Sequence, residues 1–243
     1  MDYPRPSITE AILDIRVEER DWDLGQLRAL GKDLAEFPEI RDISFLSGTM
    51  QFSTGPDPSP QTVASSVPIG FQFWSADKKR VWQARKNGFS ISHLSPYQGW
   101  GGLALEARNL WTVYRAALNP KLTRVAVRYV NRFDIPSQNR IDFADYFRTV
   151  PQIPKELDTG LSAFLMQLVL PQAEIQGMVI LTQAMIPANL PGTAAIALDI
   201  DLFRESDVPQ SEEEIWPLFE QMRHRKNRIF EDCITDAARE LLR

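Results

Sequence analysis

Thr9, Ala11, Leu13, Ile15 and Val17 alternate with Glu10, Asp14, Arg16 and Glu18, the period-two pattern of a strand with one face buried. The period then changes. Leu24, Leu27, Leu30, Leu34 and Phe37 recur at helical spacing, with Asp21 or Asp23 available to cap the first turn and Pro38 to stop the last. Residues 40–54 predict a hairpin that turns near "LSGT", and the Pro-, Ser- and Thr-rich run over 53–68 predicts a surface loop. Between 69 and 94, aromatic and β-branched residues broken by "SADKK" and "KNG" predict three short strands in a meander, Asn87-Gly88 giving the stronger turn signal. A helix is expected over 102–118, with Leu103, Ala107, Leu110, Trp111, Tyr114 and Leu118 as its buried stripe and Asn119-Pro120 as its end.

The stretch "RVAVRYVNRFDIP" over 124–136 is rich in Val, Tyr and Phe and lies between two prolines, which predicts a strand. Val125, Val127, Tyr129, Asn131 and Phe133 then share one face, and Arg124, Ala126, Arg128, Val130 and Arg132 the other. After a short helix at 143–147, three more strands are expected at 163–170, 177–186 and 193–203, separated by Pro171, Pro187 and Pro191. A long amphipathic helix closes the chain. Ser211 and Glu214 form its capping box, and Ile215, Leu218, Phe219, Met222, Ile229, Phe230, Cys233, Ala237 and Leu241 face inward, with a kink or restart at Thr235-Asp236. Strands follow strands more often than they alternate with helices. The fold class is therefore α+β: one continuous antiparallel sheet or two adjoining ones, covered on one side by helices. An N-terminal half, 1–136, and a C-terminal half, 137–243, are expected to pack as one unit.

Composition narrows the function more than the fold. The 243 residues are 44% hydrophobic and 24% charged, ordinary for a folded chain with a sizeable core. A net charge of -5 argues against a global attraction to nucleic acid or to an anionic membrane and leaves only local basic faces for such contacts. The single cysteine, Cys233, makes no internal disulfide and no Cys-rich zinc cluster, so a reducing, cytoplasmic setting is expected. The opening "MDYPRPSITEAILDIRV" has no signal-peptide pattern, and no apolar run approaches the length of a membrane span.

Candidate chemistry begins with the arginine row. Four residues of strand span about 13 Å, so a compact anion site needs a helper from a neighbouring strand about 5 Å away, and Arg85 and Arg16 are the candidates. The opposing possibility is structural. Asp199 and Asp201 share one strand face and Glu10 and Asp14 another, so flanking strands would cancel the charge in cross-strand pairs. Asp199 and Asp201, with Glu10 or Asp14, are also hard oxygen ligands of the kind magnesium takes, although no phosphate-cradling glycine loop accompanies them. His93 and His224 have no nucleophile motif around them, and Cys233 falls on an apolar stripe, where a packed thiol is inert. "RHRKNR" over 223–228 is either a contact for nucleic acid or an acidic partner, or a solvated face paired with Glu220 or Glu231. "SPYQGWGGL" sets Tyr97, Trp100 and three glycines at a strand-to-helix junction, where the aromatics either wall a ligand or plug the core.

"YPRPSITEAILDIRV", "GFSISHLSPYQGW" with "LWTVY", "RVAVRYVNRFDIP", "LDID" and "RKNRIFEDCITD" stand in order along the chain. Together they resemble a sporadically distributed family of uncharacterised bacterial proteins of about this length. The resemblance brings no assigned catalytic residues to carry over, and its patchy distribution resembles that of mobile genes such as toxin-antitoxin and phage-defence systems; no cofactor is expected. With no catalytic constellation in the chain, the leading expectation is a non-enzymatic protein that binds a protein partner as the neutralising or sensing component of such a system. The alternative is a domain for a small anion or nucleotide, using Arg85, Arg124, Arg128 and Arg132 with Tyr97 and Trp100. A metal-dependent phosphoryl-transfer enzyme built on Asp199 and Asp201 is the third.

Overall fold

The alternation of the first strand's sequence is also the alternation of its burial. β1 (Ile8–Val17) hides Ala11, Leu13, Ile15 and Val17 and turns Ile12, Asp14 and Arg16 to the other side. The computed structural model describes residues 3–32, 34–51, 61–137, 141–157 and 161–243. Within it β1 lies at the middle of one antiparallel sheet with β2 (Glu39–Gln51), β3 (Gln61–Trp74), β4 (Arg80–Arg85), β5 (Gly88–Leu94), β6 (Leu122–Pro136), β7 (Leu165–Gln172), β8 (Gly177–Ile186) and β9 (Thr193–Arg204). The order across the sheet is β2-β3-β4-β5-β1-β6-β9-β8-β7. The sheet is continuous rather than split in two. The β6–β9 ladder, running from Val125 opposite Arg204 to Pro136 opposite Thr193, joins the strands of the first half of the chain to those of the second.

Register carries the apolar face from strand to strand. Leu13 stands between Ile91 and Val127, and Val127 is followed by Leu202, all of them buried. Helices α1 (Leu24–Ala29), α2 (Trp100–Leu118) and α3 (Glu212–Cys233) cover this face, α1 over β3 and β4, α2 over β5 and β1, α3 over β6 and β9. The aromatic core runs beneath them. Phe73 stacks on Trp82 at 4.3 Å between centroids, and Phe89 meets Trp111 of α2 edge-on at 5.7 Å. The other face of the central strands carries the charges.

Four expected elements change, each for a local reason. The helix expected over 24–37 stops at Ala29, and just beyond it the chain passes close against β3 at Gly31, where a Cβ would lie 2.1 Å from the Phe73 ring. Leu34 and Phe37 still pack on the core from irregular backbone. "LSGT" is no turn: it lies inside β2, whose partner β3 begins at Gln61 and so takes in part of the run expected as a loop. Pro68 is tolerated in β3 because it sits at a register shift, and the connection over 52–60 falls outside the described residues. The short helix at 143–147 is a single 3₁₀ turn, Phe143–Asp145, capped by Asp142.

At the chain's end the restart at Thr235 is present. Ile234 is extended, Thr235 caps α4 (Asp236–Glu240) by accepting from the Ala238 amide, and the changed phase exposes Ala237 while burying Ala238 and Leu242. Ser211 is the N-cap residue of α3, but its hydroxyl donates to Glu214 at 3.0 Å instead of accepting from a backbone amide.

Candidate functional site

The arginine row lies on the uncovered face and is neutralised there. Asp14 of β1 accepts from Arg85 Nη2 at 2.9 Å, from Arg124 Nη1 at 3.2 Å and from Arg16 Nε at 3.2 Å. Arg124 also reaches Asp201 at 2.8 Å and lies 4.4 Å over the Phe203 ring. Arg128 forks onto Asp199, with Nη2 at 2.6 Å, and Arg132 pairs along its own strand with Asp134 at 2.8 Å while donating to the Pro187 carbonyl. Burial pushes the Asp201 carboxyl above its ordinary range in spite of the two arginines beside it, as desolvation does to an acid in a poorly hydrated place. Asp199 and Asp201 are thus held in ion pairs. Among the described residues no three His, Cys, Asp or Glu side chains gather to hold a metal.

The roomy cavity lies on the opposite, helix-covered side. It encloses about 700 Å³ between the N-terminal segment, the connection from β5 to α2, β6 and the second half of α3. The α3 stripe Ile215, Phe219, Met222 and Ile229 turns inward at helical spacing, and Lys226 occupies the same stripe four residues after Met222. The helix therefore carries an ammonium group into an apolar seam.

Lys226 is only 7% exposed, and its Nζ lies 3.6 Å from the centroid of the Tyr129 ring. Among the described residues it makes no hydrogen bond and no ion pair. Burial first, and the Arg223 guanidinium one turn away second, bring its pKa down to about 7. Tyr129 comes from β6, and its hydroxyl shares a 3.0 Å hydrogen bond with that of Tyr97. Burial holds the Tyr129 phenol well above its usual range. Asn131, two residues on and buried, is fixed: its Oδ1 accepts from Ser7 at 3.1 Å and its Nδ2 donates to the Leu198 carbonyl at 3.0 Å.

The mouth is built from α2 and α3. Gly99 adopts φ 105°, a conformation that favours glycine, and turns the chain so that Trp100 opens α2 with its Nε1 donating to Glu220 Oε1 at 2.6 Å. Glu220 also lies 3.8 Å from Arg223, and Glu231 accepts from Tyr3 and from Arg239. The basic run on α3 is therefore divided. Arg223, Lys226, Asn227 and Arg228 line the cavity, while Arg225 and Arg228 reach Gln172 and Glu174 beyond it.

Of the residues singled out from the sequence, Tyr97 and Trp100 meet at this cavity, whereas Arg85, Arg124, Arg128 and Arg132 stand on the far face of the sheet. His93 is bound to Glu106 at 2.6 Å, which also takes Arg80, and His224 is exposed on α3. The Cys233 thiol is pushed up to about 11 by burial and by Asp232, so it is held as a thiol. Lys226, Tyr129 and Asn131 were not singled out. Their signal is a polar residue on an otherwise apolar face: Lys226 in the α3 stripe and Asn131 between Tyr129 and Phe133. No protein-family model and no curated protein matches the chain.

Proposed function

We propose that the protein binds a small organic anion in the Lys226 cavity. The carrying observation is a lysine 7% exposed, without an anionic partner among the described residues, on the wall of a 700 Å³ space. An ammonium removed from water is costly unless a counter-charge meets it, and a bound carboxylate or phosphate supplies one. Trp100, Tyr97 and Tyr129 offer a flat apolar body somewhere to pack. This keeps the small-anion or nucleotide class expected from the sequence and assigns it to the other side of the sheet. Titration calorimetry with adenosine 5′-monophosphate, pyridoxine 5′-phosphate and a naphthalene sulfonate tests it. Saturable binding of at least one, weakened tenfold or more by Arg223→Glu and unchanged by Arg128→Glu, is expected; no saturable heat from any of the three overturns it.

A second reading, a protein partner, is supported by the sheet edge. β7 is the last strand, carries no charge in "LMQLVLPQ", and leaves Leu165 75% and Val169 54% exposed. Uncharged exposed edges accept an added strand. A partner from a toxin-antitoxin or phage-defence system is the narrower form of this reading. Affinity capture from the native host is expected to recover a protein with the wild type and lose it with Val169→Lys, and identical recovery with both overturns the reading.

A further inference from the structure

We propose that Lys226 forms an imine with its ligand, which makes the ligand class of the cavity a small aldehyde or ketone that also bears an anionic group. This rests on the small-anion reading above and adds the reactive group to it. The ammonium is already inside the cavity wall, is tied to no carboxylate among the described residues, and sits against the Tyr129 ring. The groups around it explain why it is available. On α3, Glu220 is committed to Trp100 and lies near Arg223, and Glu231 to Tyr3 and Arg239; on β6 and in the connection before α2 it faces the phenols of Tyr129 and Tyr97. Arg223 and Arg228 add positive charge and Asp232 is exposed at the rim. An amine desolvated next to another cation is the environment in which lysine nucleophiles are activated, and here burial and Arg223 bring its pKa to about 7.

The step balances without a redox partner. The Nζ lone pair bonds to the carbonyl carbon while the C=O π pair moves to oxygen, which takes up a proton. The carbinolamine then loses its hydroxyl with a proton as water and closes the C=N bond. Both amine hydrogens leave with the carbonyl oxygen. The Tyr97–Tyr129 pair lines the same cavity as a source of O–H for that departing oxygen, and the anionic group of the ligand faces Arg223.

The test is reductive trapping on the full chain. The protein is incubated at pH 7.5 with a stoichiometric amount of pyridoxal 5′-phosphate, reduced with borohydride and mapped by peptide mass spectrometry. One reduced adduct on Lys226, at least tenfold above any on Lys32, Lys78, Lys79, Lys86, Lys121 or Lys155, is expected, with loss of that adduct in Lys226→Arg. Pyridoxine 5′-phosphate, which lacks the aldehyde, separates the two readings. If it binds the wild type but Lys226 stays unmodified by the aldehyde, the imine is overturned and the pocket stands. If none of the three calorimetry probes binds and no adduct forms on Lys226, both fall. The mapping on wild type stands by itself should Lys226→Arg not fold.

Discussion

Asp14→Ala is expected to lower the unfolding free energy by about 3 kcal/mol at neutral pH, toward the low end of the cost of leaving a buried charge without its partner, because these charges are largely but not fully buried. The Asp14 carboxylate is 13% exposed and lies between Arg85 at 14% and Arg124 at 18%. Without it, Arg85 keeps a hydrogen bond to Gln83 and no carboxylate, and its Nε is already buried with no acceptor. Arg124 keeps Asp201 on one side only. Arg16, the third partner, is half-exposed, so its share is within about 1 kcal/mol. Urea unfolding at pH 7 measures the loss, and two companions locate it. Arg128→Ala, at a pair whose arginine is 47% exposed, is expected to cost about 1 kcal/mol. Asp14→Leu combined with Arg85→Met is expected to recover part of the single-variant loss, since an apolar pair replaces an orphaned cation. Losses of under 1 kcal/mol for Asp14→Ala would mean that water screens the face and that the arginine row is not a structural element.

That network was legible as a question before it was visible as an answer. Alternation placed Arg124 and Arg128 on one side of a strand, and Asp14, Asp199 and Asp201 on one side of two others, so only strand order was missing. Strand order is set by packing far from these residues, and no local pattern encodes it. The same gap explains the lost turns of the first helix. Leucines at helical spacing favour continuing it, but Gly31 must pass the Phe73 ring of a strand some forty residues away. "LSGT" resembles a turn by composition and is held extended by its ladder to β3. The cavity was half legible. Tyr97 and Trp100 stand out as aromatics beside glycines, whereas Lys226 is hidden within "RHRKNR", six polar residues in one unbroken run. Counting by 3.6 from Met222 separates it from its neighbours, because the inward phase of the helix falls on Lys226. A charged residue in phase with a buried stripe says more about a site than a dense run of charges does.

Lys226→Met is expected to stabilise the protein, by about 3–5 kcal/mol at pH 6, with the advantage shrinking toward zero near pH 10. The sign follows from the proton count. In the folded chain the amine releases its proton near pH 7, and in the unfolded chain it does so near the ordinary 10.5. Between those values the unfolded state holds more protons, so the wild type gains stability as pH rises through that window. Below pH 7 the lysine is charged in both states and the folded state bears the whole cost of burying it. At about 1.4 kcal/mol per pH unit that cost approaches 5 kcal/mol, and water in the cavity reduces it. Arg223, Arg228, Glu220, Glu231, Asp232, Tyr97, Tyr129 and Tyr3 face the same space in both chains, so their own titration largely cancels in the comparison. Urea unfolding of both proteins at pH 6, 8 and 10 checks the gap. A variant less stable than wild type at pH 6 would make Lys226 a structural cation resting on Tyr129. Ligand binding decides what the cost is for: methionine fills the seam and removes the counter-charge, so the variant that gains stability should lose affinity for the anionic probes at the same time. Stability gained and affinity lost in the same variant would assign that cost to binding.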